Sequence, residues 1–257
     1  MAIVLSGTTN DITVNGVSVA TDTEVSTAIS TYTYSKSEVD TLIGNTALNG
    51  AYGLAWNQET DVYQRIGARF DIIQSKMKRC VLNDNGTVNY YLDANDSTKK
   101  ADGSAADLTG ASGNVMVQIP KFWYKHELVS NDHKWMISPV ALSGYTVHPA
   151  FTRGGVEVDF RYYRAYAGYN SGGKLISRSG VTPTVNQTIA TFRTQAGVNG
   201  TGWGITDWNL LHAIQVLFIT EYGTFNSQAV LGRGNDTGAD YGITTGQSNL
   251  IGNGSTG

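Results

Sequence analysis

The sequence predicts an α+β protein: a short hairpin-and-helix segment over residues 1–50, then a larger domain over 51–257 of antiparallel strands, two helices and long loops. Three observations predict it. An Asn-Gly pair sits between β-branched runs near the start, aromatic residues alternate with polar ones through the middle of the chain, and Asp207 to Tyr222 carries one broad apolar face.

The first element is a hairpin. Ile12-Thr13-Val14 and Val17-Ser18-Val19 flank Asn15-Gly16, the pair that suits a type I′ turn. Val25, Ile29 and Tyr32 follow at helical spacing, and Ser35-Lys36-Ser37-Glu38 is a capping box ahead of Val39, Leu42 and Ile43. Isolated helices shorter than about 12–15 residues are marginal in water, so these two stripes need a cover. Sister copies in a short parallel coiled coil are one cover and the following domain is the other; we expect the first, with those six residues as the oligomerisation seam.

Beyond residue 51, Val115, Val117 and Ile119 share a strand face, Phe122 and Tyr124 continue after Pro120, and His133 to Ser138 reads as a partner strand. Asp93 to Ala111 is poor in apolar residues and reads as a surface loop. Val158, Phe160 and Tyr162 alternate with Tyr163, Ala165 and Ala167, and Lys174 to Arg178 returns across Gly172-Gly173. A helix is expected over Asn186 to Ala196 with Ile189, Phe192 and Ala196 inward. The stronger helix starts at the N-cap Asp207, buries Leu210, Leu211, Ile214, Leu217, Phe218 and Tyr222, and stops at Gly223. Phe122, Tyr124, Phe160, Tyr162, Trp203 and Trp208 are expected in the core.

Charged residues make up 15% of the chain against roughly 25% in an average domain. The 18 Lys plus Arg against 21 Asp plus Glu give a net charge of −3, no footprint for nucleic acid or an anionic membrane. Cys80 is the lone cysteine and can form no internal disulfide. Neither a signal sequence nor a membrane-length apolar run is evident, so a soluble protein without membrane insertion is expected.

Motifs for chemistry fail one by one. His126-Glu127 lacks the second histidine of a zinc helix and continues a strand. Gly200-Thr201-Gly202-Trp203-Gly204 follows a helix rather than a strand, so it reads as a tight inter-helix loop and not a dinucleotide fingerprint. Asp93, Asn95 and Ser97 have calcium-loop spacing, but Thr98 stands where Gly is needed and Ser104 where Glu should close the cage. His148, before Pro149, reads as a turn or core histidine. No cofactor, metal or catalytic residue is expected. Tyr, Ser, Gly and Asn are instead the composition of adaptable binding surfaces, and Asn235, Asp236, Asp240 and Tyr241 in the Gly-rich C-terminal stretch are the candidate ligand-binding residues.

Several strings resemble a known family. Asp11-Ile12-Thr13-Val14-Asn15-Gly16 and Tyr34-Ser35-Lys36-Ser37-Glu38-Val39-Asp40 resemble stalk segments of bacteriophage tail fibres. Met77 to Leu82, Thr87 to Asp93, Val117 to Tyr124 and Glu221 to Gln228 resemble the tip domain of phage receptor-binding proteins, which is similar to the C-type-lectin-like fold of formylglycine-generating enzymes. The resemblance implies a homotrimer in the virion tail, as fibre or baseplate, assembled in the host cytoplasm beside other tail or baseplate proteins. It also implies a bacterial-surface polysaccharide or protein as receptor. The calcium-dependent sugar motifs and the paired cysteines of those relatives are missing, so neither calcium nor oxidase chemistry transfers. Similar tips continue past residue 257 with a Trp-rich stretch, which leaves open whether this chain closes the lectin-like sheet. The alternatives are a structural tail or baseplate subunit that contacts only virion proteins, and a glycan-cleaving enzyme, for which no acid pair stands out.

Overall fold

A computed structural model describes residues 3–5, 12–14, 17–20, 50–67, 72–233 and 243–250. The chain divides into two compact units, Met1–Ala47 and Leu48–Gly257. In the first, β1 (Ile3–Leu5), β2 (Ile12–Val14) and β3 (Val17–Ala20) form an antiparallel sheet in that order. Val14 lies opposite Val17, the register that a two-residue Asn-Gly connection dictates. The expected helices over 22–43, with Val25, Ile29, Tyr32, Val39, Leu42 and Ile43, lie outside the described residues.

The second unit is α+β and mostly antiparallel. Its larger sheet uses β4 (Tyr52–Asn57), β5 (Val62–Ile66), β9 (Trp123–Val129), β10 (Asp132–Ser138) and β11 (Thr146–Val147) in the order β11-β9-β10-β4-β5. A four-stranded sheet uses β6 (Lys78–Leu82), β7 (Val88–Tyr91), β8 (Asn114–Pro120) and β14 (Phe160–Arg164) in the order β14-β8-β6-β7. Two ribbons complete it: β12 (Thr152–Arg153) with β13 (Val156–Glu157), and β15 (Gly168–Ser171) with β16 (Lys174–Ser177). Three α-helices follow among the described residues, α1 (Ile189–Gly197), α2 (Trp208–Tyr222) and the short α3 (Ser227–Leu231).

Helix α2 organises the main core. Asp207 accepts the Leu210 amide as N-cap, and Gly223 ends the helix in the left-handed conformation, φ 71°. Leu210, Ala213, Val216 and Leu217 pack with Tyr52, Ile119, Phe122, Ile137 and Phe151. Tyr52 is fully buried, yet its hydroxyl donates to Gln74 Oε1 and accepts the Ile73 amide, while Gln74 Nε2 donates to the Leu217 carbonyl. Arg65 of β5 donates to the Thr220 and Glu221 carbonyls, satisfying the free end of α2.

The hairpin at Gly172-Gly173, strands β8 and β10, and the loop over 93–111 stand where the sequence places them. Several faces differ. Trp208, the first residue of α2, is 75% exposed, and Phe160 at the start of β14 is 44% exposed. Leu211 lies at the margin of the α2 stripe rather than in the core, at 37% exposed. Helix α1 begins at Ile189, capped by Thr188, and turns Gln195 and Ala196 inward while Ile189 stays exposed. Val158 precedes β14 instead of belonging to it.

No helix among the described residues is long and apolar enough to cross a membrane. Residues 243–250 dock on the same unit: Asn249 meets Tyr166, Ser179 and the Ser97 amide, and Thr245 pairs with Val181.

Candidate functional site

Alternation along three neighbouring strands builds one face of the four-stranded sheet from Cys80 and Leu82, Asn114 and Met116, then Phe160, Tyr162 and Arg164. The loop between α1 and α2 lies over that face. Between them is an open cleft of about 320 Å³, lined by Met116, Phe160, Tyr162, Trp203, Arg153 and Arg164 among others.

The loop is held by its own polar groups. Asn199, 3% exposed, donates from Nδ2 to the Leu175 and Ala196 carbonyls and accepts from Asn114 Nδ2 at 2.9 Å. Asn114 in turn accepts the Ser177 amide, so the base of the cleft is a closed network. Trp203 Nε1 donates to the Asp84 carbonyl at 2.7 Å, and Lys174 pairs with the Asp84 carboxylate. Gly200 allows this approach: its φ is +134°, and a Cβ there would stand 2.9 Å from the same carbonyl oxygen. The Gly-rich string is therefore an inter-helix loop.

Trp203 and Tyr162 pack with Leu82 and Met116 as floor and wall, over the buried Cys80. Tyr91 donates to Gln118 Oε1 at 3.2 Å, and Gln118 Nε2 donates to the Tyr162 hydroxyl at 2.9 Å. Tyr162 thus keeps its own proton to offer. Burial raises its pKa, against the lowering by the Gln118 bond, so it acts as a neutral donor.

At the other end Asp207 Oδ2 accepts from Arg153 at 2.9 Å and Arg161 at 2.6 Å, while its Oδ1 caps α2. Arg161 also donates to the Ala150 carbonyl. Burial would raise the Asp207 pKa, but the Arg161 and Leu210 bonds outweigh it and hold the carboxyl below its usual range. The residues lining the cleft include aromatics, hydroxyl and amide residues and three arginines, and no histidine, cysteine, aspartate or glutamate. Such residue types can stack on a planar or sugar ring and donate hydrogen bonds to it.

Cys80 lies under this floor, fully buried, with burial pushing its thiol pKa up to about 12. Ellman's reagent is expected to find no thiol in the native protein and one in 6 M guanidinium; prompt native labelling would contradict the packing.

The other candidate chemistry is structural. Asp93 Oδ1 accepts the Asn95 and Asp96 amides, and Ser97 is fully buried on Arg79. No group of three or more His, Cys, Asp or Glu able to hold a metal occurs among the described residues. His126 lies on a strand, stacked on His133, and His148 is a buried cap of the short helical turn Pro149–Phe151. The sequence-derived ligand residues Asn235, Asp236, Asp240 and Tyr241 lie outside the described residues. Tyr162 and Trp203, expected in the core, pack partly buried against the Cys80, Leu82 and Met116 cluster and also line the cleft, whereas Phe160, expected there too, is exposed and lines it. The string Phe160-Arg161-Tyr162-Tyr163-Arg164, rings interleaved with guanidinium groups, was the available signal for it.

Fold and site together describe an α+β protein with an open cleft lined by aromatic residues and arginines. No protein-family model and no curated protein matches the chain.

Proposed function

We propose that the protein is a phage tail-fibre or receptor-binding component that attaches the virion, without catalysis, to a ligand on the bacterial surface. The head is read as a C-type-lectin-like domain, a reading supported by its antiparallel sheets, its helices and its long loops. The observation that carries the function is the cleft, in which Tyr162 and Trp203 offer aromatic surface and Tyr162 a donor. Three heads in a homotrimer would convert modest affinity into avidity through effective concentration.

A structural tail or baseplate subunit is the second reading. Trp208, Ile189 and Val198 are exposed large apolar residues that a virion neighbour would cover.

The test is binding of purified protein to a panel of bacterial strains, with isolated surface polysaccharide as competitor. Trp203→Ala is expected to weaken binding at least about tenfold, as loss of a central aromatic anchor does. Undiminished binding by this variant would move the receptor site elsewhere; no binding to any strain, with capture by tail proteins, would favour the structural subunit.

A further inference from the structure

We propose that the cleft selects an acidic saccharide, a sugar ring bearing a carboxylate or a phosphate, with Arg164 and Arg153 as its anion contacts. The proposal rests on the reading of the cleft as the receptor site and adds the charge of the ligand.

The charge distribution carries it. The whole chain is negative, at −3, yet three of its nine arginines line this one cleft and no Asp or Glu lines it with them. Asp207, just behind, is the single carboxylate that two of them share, and its Oδ1 is spent on the Leu210 amide. Two guanidinium groups against one carboxylate leave one positive charge. Arg161 is consumed in this arrangement, because it is largely buried and its donors go to Asp207 and the Ala150 carbonyl. Arg153 is not: its side chain is 46% exposed and a single Nη1 bond ties it to Asp207.

Arg164 supplies the second charge. It is exposed, lies with its guanidinium carbon 5.5 Å from the Tyr163 ring centre, and has no carboxylate at ion-pair distance among the described residues. Stacking on a ring holds a guanidinium in place without using its donors. The planar fork then matches a carboxylate or a phosphate through two parallel hydrogen bonds. Low-dielectric walls of tyrosine, tryptophan and methionine focus the field of both groups into the opening.

The rest of the lining suits a sugar rather than a bare anion. Tyr162 retains a proton to donate, and Thr201 and Thr206 add hydroxyl groups at the rim. At about 320 Å³ the cleft stands at the small end of ligand sites and takes a short segment of a polymer. A nucleic acid would bring the same phosphates, but it would bring many of them to a surface that is negative overall.

The experiment uses the surface polysaccharide extracted from a strain that the intact protein binds. It is presented in three forms: native, carboxyl-reduced, and dephosphorylated with hydrogen fluoride. Binding to the native form is expected to weaken on raising NaCl from 50 to 500 mM. One of the two chemical treatments is expected to lower it at least about tenfold, and which one does so identifies the anion. Arg164→Gln is expected to lower native binding about tenfold with an unchanged melting temperature, and Arg164→Lys to recover part of the loss. Equal binding of all three forms, or no effect of Arg164→Gln, overturns the charge selection and leaves the receptor reading in place. Failure of the polysaccharide to bind at all, while cells are still bound through Trp203, overturns a saccharide ligand. Failure to bind any strain defeats the receptor reading itself.

Discussion

Lowering the pH from 7 to 4 is expected to remove on the order of 3 kcal/mol of stability through one buried imidazole, His148. Its ring is fully buried between Phe122, Phe151 and Tyr124. Nδ1 accepts the Ala150 amide at 3.1 Å, so the neutral ring carries its proton on Nε2 and donates it to His212 Nδ1 at 2.9 Å. A second proton would have to sit on Nδ1 and break the cap. Burial, with the neighbouring His212, pushes the pKa from the ordinary 6.5 down to about 4.

The sign follows from linkage. Below pH 6.5 the unfolded chain takes up a proton that the folded chain refuses until about pH 4, so the contribution is complete above 6.5 and is lost on the way down. At 1.36 kcal/mol per pH unit the interval gives the stated magnitude. His212, also lowered by burial, acts in the same direction. Urea denaturation at pH 7, 5.5 and 4 measures it against His148→Asn, whose amide oxygen can still accept from Ala150. The variant should be weaker at pH 7 and lose less between 7 and 4; parallel losses would show that His148 is not the titrating group.

Asp207→Ala is expected to destabilise the protein by roughly 2–4 kcal/mol, because one carboxylate serves two elements. Loss of an N-cap costs about 1 kcal/mol. Arg161, only 13% exposed, would also lose its charged partner, and an unmatched buried donor costs about 1–3 kcal/mol. The Arg153 bond adds little, since both side chains there are open to solvent. Asp207→Asn keeps an acceptor for the Leu210 amide and should recover the cap alone. Because the folded pKa of Asp207 is depressed, its contribution is present above the ordinary carboxylate range and is lost as pH falls through the folded value. Chemical denaturation of both variants at pH 7 checks the ordering; equal stability of Asp207→Ala and wild type would refute the shared role.

Residue periodicity identifies many elements and misses much of the candidate site. Strand β8 is legible from Val115, Val117 and Ile119, and α2 from its apolar stripe with Asp207 and Gly223 at its ends. Those are local signals, carried within one strand or one helix. Trp208 and Phe160 read as inward from the sequence because large rings usually are buried, yet both stay exposed in the structure. The cleft draws on residues from Leu82 to Leu210, and Trp203 reaches its wall only because the Asp84 carbonyl, 119 positions away, holds its indole.

What the sequence determined alone was the inventory: a hairpin, alternating strands, one strong helix and a composition poor in charge and slightly negative overall. Backbone geometry and hydrophobic spacing act over a few residues, so a one-dimensional reading reaches them. Only the tertiary structure decided which faces are covered and where the arginines of β14 and its neighbours converge. Burial and electrostatic balance depend on what packs opposite a residue, and that partner is chosen by the whole fold.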